Sequence, residues 1–129
     1  MQIHQSAEDY LETILMLSQR MGKVRSIDVV NELGFTKASV SIAMKKLREN
    51  GYIAVDGEGN LTLLEPGLEI ALRIYSRLQL LTLFFVQLGV DEQTAAEDAC
   101  KAEHILSEQT LEKIRESALR NDAAHPQAK

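Results

Sequence analysis

The stretch Ser26–Gly51, SIDVVNELGFTKASVSIAMKKLRENG, decides the fold. It reads as two helices joined by a sharp turn. Ser26 stands where a cap opens a short helix, and Ile27, Val30 and Leu33 recur at the spacing of one inner face. Gly34 supplies a tight turn, and Phe35 reads as its anchor in the core. Thr36 then caps a second helix, about Lys37 to Asn50, which Gly51 ends. On that helix Val40, Met44 and Leu47 fall on the side that faces the core. The opposite side carries Ala38, Ser41, Ile42, Lys45 and Lys46, with Lys37 and Ser39 near its start. An amphipathic helix with a solvated back has the same pattern. The short helix and turn before it favour a helix-turn-helix, whose second helix offers small and hydroxyl residues to base edges and lysines to phosphates.

Outward from that stretch the order continues to fit. Ser6 and Asp9 read as a capping box opening a first helix, with Tyr10, Leu11, Ile14, Leu15 and Leu17 as its apolar face and Gly22 as its end. After Gly51, Tyr52–Val55 and Leu61–Leu64 are β-prone runs flanking the Gly-rich loop Asp56–Asn60, which is the pattern of a β-hairpin. Three helices and a hairpin are the order of a winged helix. The tip Gly57-Glu58-Gly59 is acidic, so this wing offers a phosphate only backbone N–H groups and Asn60. Pro66 and Gly67 read as a further break. Beyond it come a long helix from about Leu68 to Leu88, a helix capped by Asp91 and reaching about Ile105, and a helix capped by Ser107 and running to about Leu119, with a frayed tail from Arg120. The expected architecture is mainly α. A winged helix-turn-helix DNA-binding domain with a short hairpin wing occupies residues 1–66, and a helical metal-binding and dimerisation domain occupies 67–129. The long helix is apolar almost all round, through Leu72, Ile74, Leu78, Leu81, Phe84 and Phe85 among others. A chain this small has few partners of its own to cover such a helix, so a second copy is expected there and on the helices that follow.

Charge is segregated along the chain. The net charge is −5, which on its own speaks against nucleic acid. From Gln19 to Asn50, however, seven basic residues face three acidic ones, and from Val90 to Asp122 nine acidic residues face four basic ones. One half suits phosphate and the other does not. No apolar run reaches the ~18 residues of a membrane helix, and nothing at the N-terminus reads as an export signal, so a cytoplasmic protein with no membrane role is expected. A single Cys excludes an internal disulfide.

That Cys opens the run Cys100-Lys101-Ala102-Glu103-His104. On one helix the thiol, carboxylate and imidazole at i, i+3 and i+4 come within reach of one ion. The alternative is a small core Cys beside a packed His. The wider pattern resembles the diphtheria-toxin-repressor family of iron- and manganese-dependent regulators. The matching segments are Glu8-Asp9-Tyr10-Leu11-Glu12-Thr13-Ile14, Thr36-Lys37-Ala38-Ser39-Val40, Leu61-Thr62-Leu63 before Gly67, and Leu88-Gly89-Val90-Asp91 leading into Cys100–Ser107.

The resemblance covers nearly the whole chain. It implies a metal held between the first helix and the later ones, with Asp9, Glu12, Cys100, Glu103 and His104 at ligand positions. Asp9 and Glu12 match the manganese branch and Cys100 the iron branch, while Glu103 and His104 match both. Read without the family, Asp9 is part of a capping box and Glu12 a solvated helix face. Three further family ligands are missing: the positions fall at Leu78 or Arg77, at Thr82 or Leu81, and near Ala96. One site is therefore expected, binding about one Mn2+ or Fe2+ per subunit. In length the chain resembles the manganese-responsive branch.

The expected function is a metal-dependent, DNA-binding transcriptional repressor that binds a double-stranded operator as a homodimer and governs metal-homeostasis genes. The alternative is a metal-independent winged-helix regulator that has lost part of the site. A metalloenzyme using the same ligands lacks a Gly-rich phosphate loop and any Ser/His/Asp arrangement. A winged helix that binds only protein is favoured by one feature, the acidic wing.

Overall fold

The computed structural model describes residues 5–124. Two compact units divide between Arg73 and Ile74. The first contains α1 (Gln5–Met21), β1 (Val24–Arg25), α2 (Ser26–Leu33), α3 (Lys37–Glu49), β2 (Ile53–Val55) and β3 (Asn60–Leu63). Helix α4 (Glu65–Gln87) follows, and the division falls within it. The second unit continues with α5 (Glu92–Ala102) and α6 (Glu108–Ala124). The mainly α architecture with a winged helix-turn-helix at its N-terminal end is the one expected from the sequence.

In the first unit the core is built from every element. Leu11 and Ile14 of α1, Val24 of β1, Val29 of α2, Val40 and Leu47 of α3 and Ile53 of β2 are each at most 2% exposed. Thr36 caps α3 as expected, its Oγ1 accepting the Ser39 backbone N–H at 3.1 Å. Gly34 adopts the left-handed conformation, φ 71°, that a side chain would resist, and so ends α2 within one residue. The hairpin pairs Ile53 with Leu63, Ala54 with Thr62 and Val55 with Leu61. A third strand was not expected: β1 pairs antiparallel with β3, Val24 opposite Leu61 and Arg25 opposite Asn60. Two residues are too short to show a period of two, so the sequence carries no signal for it.

Several local expectations are corrected. Helix α1 is already formed at Gln5, so Ser6 lies inside it and does not cap it. Arg25 rather than Ser26 caps α2, its backbone N–H donating to the Asp28 carboxylate at 2.8 Å. The buried face of α2 centres on Val29, flanked by half-buried Val30 and Leu33, and Ile27 is exposed. Ile27 and Val29 both fit a helical stripe with Val30 and Leu33, so periodicity alone does not choose between them. Phe35 lies on the surface rather than in the core, edge-on to Tyr10 with ring centroids 5.9 Å apart. Pro66 and Gly67 do not break the chain but sit in the first turn of α4, where a missing N–H costs nothing. Helix α6 continues past Leu119 to Ala124.

In the second unit Leu81, Ala99 and Leu111 are buried together, with Leu78, Phe85, Ala102, Leu106 and Ile114 packed around them. Asp91 caps α5 by accepting the Thr94 N–H at 3.1 Å, and Ser107 caps α6 through the Thr110 N–H at 3.2 Å. Both caps were expected.

Gly67 fixes how closely the start of α4 approaches the hairpin. A Cβ there would lie 2.2 Å from the Tyr52 carbonyl oxygen, and the same oxygen accepts the Leu64 N–H at 3.0 Å. Helix propensity alone would make Gly67→Ala stabilising, by up to ~1 kcal/mol. The contact is with backbone, so the clash decides the sign. Gly67→Ala is expected to lower stability by about 1–3 kcal/mol, read from the urea midpoint. Gly57→Ala, where nothing lies within 4 Å, should stay within about 0.5 kcal/mol of the parent; equal midpoints for the two variants would refute the constraint.

Candidate metal ligands and DNA-reading face

Burying Val40, Met44 and Leu47 turns the rest of α3 outward. Lys37, Ala38, Ser39, Ser41, Ile42, Lys45 and Lys46 are all exposed. The face thus carries three ammonium groups, hydroxyls and two apolar side chains. Ser39 is partly committed: its N–H serves the Thr36 cap and its hydroxyl oxygen accepts from Thr36 Oγ1 at 2.9 Å. The wing has few donors left for phosphate. Asp56 accepts the backbone N–H groups of Glu58 and Asn60, each at 2.9 Å, and the Asn60 side-chain amide at 3.0 Å. These bonds hold the Asp56 carboxyl below the usual carboxylate range. The Arg25 guanidinium donates to the Glu58 carbonyl and lies against Gly59. Asn60, expected to be a donor at the wing, is used within it.

On α1, Glu8, Asp9 and Glu12 occupy successive positions along one side. Glu8 pairs with Arg73 at 3.7 Å, and Asp9 is half-buried. Glu12 is buried at 5% exposure, and its Oε2 has no hydrogen-bond partner among the described residues. Burial first, then the neighbouring Asp9 and Glu8 charges, push its carboxyl up to about 7. The solvated helix face that Glu12 suggests when read alone is therefore not what the structure has. An orphaned carboxylate oxygen in a buried place suits a cation.

In the second unit, α5 ends at Ala102 rather than near Ile105. Glu103 is the C-cap and His104 lies in the turn that follows. The Glu103 N–H still bonds the Ala99 carbonyl at 3.0 Å, whereas Ile105 bonds back only three residues to Ala102. The helical frame therefore carries through Glu103 and tightens after it. Glu103 is fully buried and His104 largely so, with His104 Nε2 3.4 Å from Glu103 Oε1. Cys100 is exposed.

The first unit thus carries a helix with its basic face outward beside a hairpin wing, and the second a carboxylate and an imidazole held out of water. Residues 2–61 match the model of the iron dependent repressor N-terminal DNA binding domain. Residues 64–126 match the iron dependent repressor metal binding and dimerisation domain. An uncharacterized HTH-type transcriptional regulator of Methanocaldococcus jannaschii is 36% identical over 113 residues, covering 86% of this chain and 90% of that protein. The chain belongs to the iron-dependent, or diphtheria-toxin-repressor, family.

The HTH-type transcriptional regulator MntR of Bacillus subtilis is 33% identical over 84% of this chain and 77% of its own length. A solved manganese-dependent transcriptional repressor in complex with manganese has a TM-score of 0.78 at 28% identity, covering 87% of this chain and 52% of that one. The manganese regulator SloR has a TM-score of 0.74 at 25% identity, covering 89% and 54%. The chain thus spans about half the length of these two solved proteins. Members of the family are metal-dependent transcriptional regulators, not enzymes.

In this member of the iron-dependent repressor family, Leu78 joins the apolar cluster of Leu81, Ala99 and Leu111. Arg77 is paired with Glu108. Thr82 donates its hydroxyl to the Leu78 carbonyl at 2.7 Å.

The raised Glu12 pKa has a sign that can be read in solution. A carboxyl near 4.5 when unfolded and about 7 when folded costs stability as it ionises. In metal-free protein that cost is absent below pH 4.5, grows as pH rises, and is complete above pH 7. Glu12→Gln should therefore gain on the parent between pH 5 and pH 8, by on the order of 1 kcal/mol. Urea unfolding in chelator at the two pH values measures it, and an unchanged difference would show that Glu12 ionises normally.

Proposed function

We propose that this chain is a Mn2+- or Fe2+-dependent repressor that binds a double-stranded operator as a homodimer in the cytoplasm and governs metal-homeostasis genes. Residues 1–66 would read DNA, through Lys37, Ala38, Ser39, Ser41, Ile42, Lys45 and Lys46. Residues 67–129 would dimerise and complete the metal site. The reading rests above all on the buried Glu103–His104 pair, because an acid and an imidazole withdrawn from water together suit a divalent cation better than solvent. Orphaned Glu12 Oε2 on α1 supports it.

Asp9, Glu12, Cys100, Glu103 and His104 are the proposed ligands, the first two on α1 and the others at the end of α5. A bound divalent ion supplies the positive charge that lets these carboxylates approach one another. Without it, Asp9 and Glu12 repel Glu103 and the reading heads are not held in register. With it, the heads of a dimer are held for half-sites about 34–36 Å apart, one helical turn of DNA. Leu68, Leu72 and Leu83 of α4 are exposed apolar side chains, which supports a dimer through that helix. No helix among the described residues is long and apolar enough to cross a membrane. A metal-independent regulator is the second reading, favoured by Leu78 inside an apolar cluster.

Titration of the apo-protein with Mn2+, and with Fe2+ under anaerobic conditions, should give about one ion per subunit. The ion should tighten operator binding roughly 30–150-fold, equivalent to ~2–3 kcal/mol of differential affinity. The double variant Asp9→Ala, Glu103→Ala should lose that gain. If it binds DNA as tightly as the metal-loaded parent, or if neither ion binds the parent, the metal-independent reading replaces this one.

A further inference from the structure

Ile42 is 58% exposed in the middle of α3. It is the one large apolar side chain on a face otherwise made of lysines, hydroxyls and alanine. Nothing in the fold needs it there. The core side of the helix is already filled by Val40, Met44 and Leu47, and a β-branched residue is a poorer helix former than the Lys or Ala around it. Ala38 lies one turn earlier on the same side, so residues 38 and 42 make a short apolar strip between Lys37 and Lys45.

The major groove has one apolar feature at its base edges, the C5-methyl of thymine. An isoleucine can neither donate nor accept a hydrogen bond, so at a base edge it distinguishes bases only by that methyl. A cytosine amine or a purine edge set against it would lose its water without gaining a partner. We propose that Ile42, backed by Ala38, is a specificity-determining residue that selects a thymine at one fixed position of each operator half-site by packing on its methyl group. This rests on the reading of the chain as a DNA-binding repressor, and the lysines of the same face supply affinity without choosing sequence.

The test uses the full chain loaded with Mn2+, or with Fe2+ under anaerobic conditions, and a pool of random-sequence duplexes. After enrichment, each thymine of the preferred duplex is replaced singly by deoxyuridine, which removes only the methyl. The parent should lose about fourfold in affinity at one thymine per half-site, as expected for one buried methyl, and little at the others. Ile42→Ala, which leaves a good helix former on an exposed position, should bind the thymine and deoxyuridine duplexes equally. Ile42→Gln should shift enrichment at that position from thymine towards adenine. A preferred duplex insensitive to every replacement, or an Ile42→Ala variant that keeps the parent's sensitivity, overturns the inference while leaving the repressor reading intact. Failure of any duplex to be enriched overturns both.

Discussion

The burial of one stripe, Val40, Met44 and Leu47, fixes everything the first unit presents to its surroundings. A helix has a single rotation about its axis. Once these three side chains are inside, with Leu11, Ile14 and Val29 also buried, Lys37, Ser41, Ile42, Lys45 and Lys46 have nowhere to go but out. The Thr36 cap sets where that helix begins, and Gly34 lets α2 stop close enough for the two to pack. The reading face is thus a by-product of core formation. It needs no ligand to form, and its charges cost little because they stay in water.

The α3 face was legible in the sequence because its signals are redundant: a cap, a stop and a stripe agree on one register. The hairpin was legible for the same reason. What was not legible depended on contacts distant in sequence. Strand β1 exists only because β3 offers it an edge. Ile27 and Val29 have equal claims by periodicity, and only the packed core chooses between them. Gly67 reads as a breaker next to Pro66, yet its role is to let α4 lie against the Tyr52 carbonyl. A sequence shows that a glycine is present but not which backbone it touches.

For the proposed metal ligands, residue type was more readable than environment. Cys100, Glu103 and His104 have ligand spacing, yet the acid and the imidazole are buried and the thiol-bearing residue is exposed. Glu12 is the reverse: within α1 it looks like an ordinary surface acid, and only burial shows its oxygen to be without a partner. Leu78 belongs to an apolar cluster and Arg77 to an ion pair, contacts that need no ion.

The self-contained wing carries a consequence for how the chain would meet DNA in salt. Its amide donors already serve Asp56, and its neighbouring guanidinium serves the Glu58 carbonyl. Such a loop neutralises few phosphates, and so few condensed cations leave the duplex on its account. On the proposed reading, counterion release would be concentrated in Lys37, Lys45 and Lys46 of α3. Association would draw less on the polyelectrolyte character of DNA than it would with a lysine-tipped wing, and the preference for one site over bulk duplex would rest more on groove contacts. A chain with a net charge of −5 would then linger less on non-specific DNA.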